Sequence, residues 1–162
     1  MLILINVKLI ALGNLKEGYL REAFSEYSKR LGGLCRFEMV ELKEHKLPDS
    51  PSKSEIATAL EEEGKRILAL LPPRAYKIAL CVEGKQLSSE ELAAKIDEAA
   101  AHTSEIIFVI GSSHGLSDKV KAACDMRLSI SKMTFPHQLI RVVIAESIYR
   151  SFSIIKGTKY HK

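Results

Sequence analysis

Strand-like and helix-like segments alternate along this 162-residue chain, which predicts one α/β domain, 1–162, with a mostly parallel sheet and helices on both faces. Three observations carry that prediction. Apolar runs such as Ile78-Ala-Leu-Cys-Val82 and Ile106-Ile-Phe-Val-Ile110 are continuous, as in strands covered on both sides. Helical patterns separate them. A composition of 46% hydrophobic and 27% charged residues is that of a globular chain able to bury a core.

The elements follow in order. Residues 2–12 read as a buried strand; without a basic n-region or a small-residue cleavage site they do not read as a signal peptide. A helix is expected over 16–31 and a strand over 36–42. The polar stretch from His45 to Ser52 leads to a helix over 54–71, stopped by Pro72-Pro73. A strand over 77–82 comes next, then a helix over 88–101 opening with Ser88-Ser-Glu-Glu91. That spacing lets Ser88 and Glu91 satisfy each other's free amides in a capping box. A strand at 105–110, a short helix at 117–124 and a strand at 127–130 complete the sheet. The last helix, 136–156, ends against Gly157, where a C-cap glycine belongs. Its apolar residues, among them Leu139, Val142, Val143, Ile148, Phe152 and Ile155, cover far more than one stripe. Such a helix is buried on nearly all sides. It lies either deep in one subunit or between the sheet and a second copy, and a homodimer is expected.

Several classes are excluded by the same reading. The apolar run 139–145 is interrupted by Arg141 and followed by Glu146, too short and too charged for a membrane span. Cys35, Cys81 and Cys124 are odd in number and far apart, so reduced thiols in a cytoplasmic protein are expected. The five histidines have no ligand spacing, and no metal is expected. Charge is uneven. From Lys132 onward six basic residues face Glu146 alone, so a chain of net +4 is near neutral with one strongly basic end. Lys and Arg beside Tyr and His suit a phosphate backbone and an exposed base.

Three glycine-containing or polar loops follow three of the strands: Glu83-Gly84-Lys85, Gly111-Ser-Ser-His-Gly115 and 129–135. Ligands of open α/β sheets bind outside the carboxyl ends of strands, so these loops are candidates for a small-molecule pocket. Gly111-x-x-x-Gly115 is neither a dinucleotide fingerprint nor a P-loop. That argues against a Rossmann or flavodoxin-like nucleotide enzyme.

The string Ser131-Lys-Met-Thr-Phe-Pro-His-Gln138 resembles the RlmH family, together with Phe108-Val-Ile-Gly111, Glu83-Gly-Lys85, Gly13-Asn-Leu-Lys-Glu17, the Tyr27-x-x-Arg30-Leu-Gly32 stretch and Tyr160-His161. These are small SPOUT-class ribosomal RNA large subunit methyltransferases, and the resemblance covers essentially the whole chain. It implies a SPOUT-type α/β knot with a C-terminal trefoil knot, which periodicity did not show. It also implies a homodimer that uses S-adenosyl-L-methionine to methylate the N3 atom of a pseudouridine of 23S rRNA (position 1915 in the family) in the assembled ribosome. Carried across, the cofactor contacts fall on Leu80, Gly111, Ile130, Ser131, Lys132, Met133, Thr134 and Phe135, in the three loops above. Two departures stand out. Ser112 replaces a frequent second glycine, which is harmless only with ordinary backbone angles. The amino end, 1–6, is a few residues longer and either extends the first strand or reflects a different start.

The donor methyl of a sulfonium is already activated, so the expected task is alignment and charge management. An imide N–H needs a base, or cations that favour its anion. His161 is the expected base, Tyr160 the partner of the target ring, and Arg141 and Arg150 the groups for phosphate or developing charge. His137 is either a helix-start residue or a pocket residue. The arm 160–162 is expected to order only against a partner subunit or the ribosome. The rival reading is a ribosome- or RNA-binding factor without chemistry.

Overall fold

The computed structural model describes residues 4–162, and ten elements alternate along them. They are β1 (Asn6–Leu12), α1 (Gly18–Leu31), β2 (Arg36–Leu42), α2 (Lys53–Leu68), β3 (Tyr76–Gln86), α3 (Ser89–Ala100), β4 (Glu105–Ile110), α4 (Asp118–Ala123), β5 (Met126–Ser129) and α5 (Leu139–Lys156). The strands form one sheet in the order β2-β1-β4-β3-β5, and all four pairings are parallel.

Side-chain alternation explains the continuous apolar runs. Val7, Leu9, Ile78, Ile106, Phe108 and Ile110 face α1, α3 and α5. Their neighbours Ile10, Leu12, Ala79, Ile107 and Val109 face α2 and α4. Strands β1, β3 and β4 therefore each feed two cores: Leu9, Ile10, Ile78, Ile106 and Ile107 are fully buried. Fully burying one such side chain stabilises the fold by roughly 1.5–3 kcal/mol relative to leaving it exposed.

The local signals account for most boundaries. The Ser88–Glu91 capping box forms as expected, with Glu91 N–H donating to Ser88 Oγ at 3.1 Å and Ser88 N–H to Glu91 at 2.7 Å. Gly157 closes α5 in the left-handed conformation at φ 69°. A second capping box opens α2, with Ser52 as N-cap and Glu55 as its partner, so the helix begins at Lys53, one residue before the expected 54. That helix also stops at Leu68, because 69–71 tighten into a turn ahead of the prolines. The strand expected from residue 2 begins at Asn6, where ladder pairing to both Arg36 and Glu105 starts; residues 1–3 lie outside the described residues. Helix α5 begins at Leu139 and not at Pro136, with Gln138 as its N-cap and that side chain bonded to another loop.

Strand β3 is the main departure. It runs on to Gln86 rather than ending at Val82, and its register against β5 breaks in the middle. Leu80 and Lys85 both sit opposite Leu128, so the residues between them bulge out of the ladder. Gly84 lies flat on β5 there: a Cβ would come within 2.6 Å of the Leu128 carbonyl carbon. Only glycine fits.

Helix α5 packs against α1 and α3 through Ile144, Ala145, Ile148 and Phe152. Ile140, Val142, Tyr149 and Ile155 on its other sides are only half-buried in the single chain.

Candidate active site

The carboxyl ends of β3, β4 and β5 open into one cleft of about 560 Å³, a size suited to a small organic ligand. Its walls are the β3 bulge (Leu80 to Glu83), the β4–α4 loop (Ile110 to Leu116) and the segment from Leu128 to His137. The three loops singled out in the sequence thus meet. Seven of the eight residues that the resemblance assigns to a cofactor line the cleft: Leu80, Gly111, Ile130, Ser131, Met133, Thr134 and Phe135. Lys132 does not line it, although its neighbours do.

Main-chain packing shapes these walls. A Cβ on Gly111 would meet the Gly115 carbonyl oxygen at 2.2 Å, so the β4–α4 loop closes on itself only with glycine there. Ser112 accepts an N–H bond from Gly115 at 2.9 Å, and no non-glycine residue among those described has a positive φ. The serine is therefore unstrained. Ser131 Oγ accepts from Met133 N–H at 3.0 Å while its carbonyl accepts from Ser129 Oγ at 2.9 Å, which turns the β5–α5 segment back over the cleft. Met133 is 72% exposed at the rim, an apolar side chain with no partner of its own. Lys121 of α4 pairs with Glu83 across the outer wall and holds that carboxyl below the usual range. Burial pushes the Cys81 thiol on the same wall upward, so it stays protonated near neutral pH.

His137 lines the cleft and also lies 3.7 Å from Glu44, so it faces the pocket rather than capping α5. Gln138 ties this segment to the β1–α1 loop, accepting from Lys16 N–H at 3.0 Å and donating to the Asn14 carbonyl at 3.1 Å.

Arg141 departs from its expected role. It is 1% exposed, with Nη1 on Glu41 at 3.0 Å and Nη2 on the Leu12 carbonyl at 2.6 Å. Burial lowers its pKa, and Glu41 works against that shift. A guanidinium so enclosed offers nothing to a phosphate. It pins the start of α5 to the ends of β1 and β2 from inside.

The other expected catalytic groups gather elsewhere. Arg150 donates through Nε and Nη2 to Glu146 Oε1 at 3.0 and 2.6 Å, and the Tyr160 hydroxyl donates to the same oxygen at 3.1 Å. The Arg150 guanidinium lies 4.8 Å from the Tyr160 ring centre, and Tyr149 meets that ring edge-on at 4.6 Å. Burial, with Tyr27 and Glu146, pushes the Tyr160 phenol up to about 12. His161 Nδ1 lies 3.1 Å from Arg150 Nη1, and its Nε2 lies 2.7 Å from Glu90. Arg150 can only donate and a carboxylate can only accept, so Nδ1 accepts and Nε2 carries the proton. Both ring nitrogens are spoken for. In this arrangement His161 is an anchor and has no free lone pair to act as a base.

The arm from Thr158 to Lys162 is thus ordered on its own chain, contrary to the expectation that it needs a partner or a ribosome. Two carboxylates, Glu90 and Glu146, supply the anchorage that the sequence reading missed. The cluster is also remote from the cleft. Ile140 lines the cleft and Arg150 stands ten residues further along α5, about 15 Å at the rise of a helix. Tyr160, His161 and Arg150 do not line the cleft of their own chain.

A parallel sheet covered on both faces, with a glycine-shaped cleft at its strand tips, defines an α/β enzyme class, and comparison with known proteins says which. The family model described as "Predicted SPOUT methyltransferase" matches residues 5–161, and the chain belongs to that family. Its near relatives narrow the group. It is 49% identical over 157 residues to the "Ribosomal RNA large subunit methyltransferase H" of Streptococcus thermophilus, covering 96% of this chain and 99% of that one. Proteins of the same name from Latilactobacillus sakei and Bacillus pumilus are 46% and 45% identical over 158 residues, covering 97% of this chain and 99% of theirs. The fold also resembles the solved structure of "a probable methylase family protein" from Haemophilus influenzae Rd KW20, with a TM-score of 0.57 at 14% identity over 96% of this chain and 70% of that one.

Among the described residues no helix is long and apolar enough to cross a membrane.

Proposed function

We propose that this chain is a cytoplasmic, S-adenosyl-L-methionine-dependent methyltransferase that acts as a homodimer on the N3 atom of a pseudouridine of 23S rRNA in the assembled ribosome. The observation that carries the reading is the convergence of Leu80, Gly111 and 130–135 on one glycine-shaped cleft, in a chain nearly half identical to named ribosomal RNA large subunit methyltransferases.

The cleft suits the donor. Leu80, Ile130, Leu116 and Phe135 offer apolar walls for a base and ribose, while Gly111 lets backbone approach closely. The bound donor supplies an activated methyl group, so these residues need only fix its direction. The trefoil knot that the resemblance implies would explain how a chain segment as long as 130–138 is held still enough for that task.

The arm's chemistry is electrostatic. With His161 locked between Arg150 and Glu90, it orients the arm rather than taking the imide proton. Arg150 and the lysines at 156, 159 and 162 meet the RNA backbone and lower the cost of an anionic N3, whose proton leaves to water. Because the arm does not line its own cleft, a second copy is required to place arm and cleft together. The half-buried apolar side of α5 is the surface for that copy.

Deleting residues 160–162 tests this. Methylation of ribosomes, read by mass mapping of large-subunit rRNA, is expected to fall by about a hundredfold or more, in the range one positioned electrostatic group contributes. S-adenosylmethionine affinity should stay within about twofold, since those residues lie outside the cleft. Full-rate methylation by the truncated protein would remove the arm from the site. Failure of the intact protein to bind the donor in calorimetry would leave the non-catalytic RNA-binding reading in its place.

A further inference from the structure

Glu63 lies behind the cleft wall, in line with Ala59 and Ile67 on the buried face of α2, and is 3% exposed. Its Oε1 accepts from Ser112 Oγ at 3.0 Å and its Oε2 from the His45 backbone N–H at 3.1 Å. Two donors on two oxygens suit an ionised carboxylate. The other two buried charges among the described residues have counter-ions, Arg141 with Glu41 at 3.0 Å and Lys77 with Asp125 at 3.8 Å. Glu63 pairs with no cation among those residues.

A dry charge without a counter-charge costs stability. Its bonds to His45 and Ser112 need only acceptors, which neutral groups also supply, and the residues a helical turn before and after are apolar. The cleft gives a reason for the charge. Ser112 lines the cleft, so the carboxylate stands one side chain behind its surface. Ser112 is only half-buried, so cleft solvent screens the field in part, and a modest attraction reaches the ligand.

We propose that Glu63 is the counter-charge of a cationic ligand: through Ser112 it makes the cleft favour sulfonium S-adenosylmethionine over its neutral product, S-adenosylhomocysteine. This rests on reading the cleft as the donor site. In the transfer the sulfur–methyl bond breaks and its electron pair stays on sulfur. The N3 lone pair forms the new bond, and the N3 proton passes to water. The ligand's positive charge is thereby lost, so the attraction acts before transfer and disappears after it, which speeds exchange of product for fresh donor. Glu63 touches neither ligand nor target and is a specificity-determining residue.

The test compares both ligands by calorimetry on the full chain. Glu63→Gln keeps the shape and removes the charge. Its preference for S-adenosylmethionine over S-adenosylhomocysteine is expected to fall by about fivefold, as loss of a unit charge several ångströms away implies. Equal weakening of both ligands would show a purely structural role and overturn the proposal, as would an unchanged ratio. If that variant does not fold, the wild-type chain serves: with Glu63 in place it must bind S-adenosylmethionine more tightly than S-adenosylhomocysteine, and equal or tighter binding of the neutral product overturns the proposal. A wild-type chain that binds neither ligand would remove the donor assignment itself, and this proposal with it.

Discussion

The cleft at the strand tips is shaped by main chain, with Gly84 flat on β5 and Gly111 against the Gly115 carbonyl, whereas the carboxy-terminal arm is held by side chains: Glu90, Glu146, Arg150, Tyr160 and His161. Main-chain walls neither respond to salt nor tolerate a larger residue. Side-chain anchorage does both. The donor site proposed for the cleft needs the first property, because a methyl group transfers only from a fixed direction. The arm proposed to meet RNA needs the second, because its contacts must yield when a much larger anion arrives.

That contrast is sharpest at Gly111. Gly111→Ala places a carbon 2.2 Å from the Gly115 oxygen, and the β4–α4 loop must open to admit it. Donor affinity measured by calorimetry is expected to drop by about a hundredfold or more, the scale at which a misplaced site fails. The arm should remain docked. An alanine variant that binds donor normally would break the claim that backbone proximity shapes the cleft.

Arg141→Ala gives an intermediate effect on both regions, since Arg141 pins α5, which spans them. Removing it leaves Glu41 and the Leu12 carbonyl without their partner. A loss of about 2–3 kcal/mol is expected in urea denaturation, below the full value for a buried pair because Glu41 is partly solvated. Ribosome affinity and its salt dependence should change little in the folded variant. A flattened salt dependence with unchanged stability would restore the phosphate role expected from the sequence.

The smallest effect concerns the arm alone. Tyr160 is raised from 10 to about 12, chiefly by burial, so docking favours its neutral form. The stabilisation from this group is complete below pH 10 and is lost as pH rises through about 12. In an absorbance titration Tyr160→Phe should delete a step near 12 and leave the earlier phenol ionisations unchanged. Loss of an early step instead would place Tyr160 in water and undock the arm.

How much of this was legible in sequence varies with the physics. Alternating faces were written in the apolar runs at 78–82 and 106–110, since both cores draw on the same strands. Ser88 and Glu91 announced their cap through spacing alone. The cleft-lining loops were visible as glycines after strands, and the family string at 131–138 pointed to the ligand proposed for them. Burial of a charge was not visible. Arg141 and Arg150 lie on the same helix, and only tertiary packing makes one a brace and the other an arm contact. Glu63 sits in a Glu61-Glu62-Glu63 run that reads as a solvated face. Its phase, four residues from both Ala59 and Ile67, was the one signal that it turns inward. The arm's docking was missed because Glu90 and Glu146 belong to α3 and α5, far from it in sequence.

The bulge of β3 has a consequence for how such enzymes vary. Leu128 faces Leu80 and again Lys85, so the intervening loop of strand is free of ladder register. Lengthening or shortening it resizes the chamber without re-aiming the sheet, provided glycine remains where the loop crosses β5. A change of one residue in the paired stretch before Leu80 would instead turn every following side chain to the opposite face. A residue inserted at this one blister should therefore leave the sheet intact where one inserted before Leu80 does not.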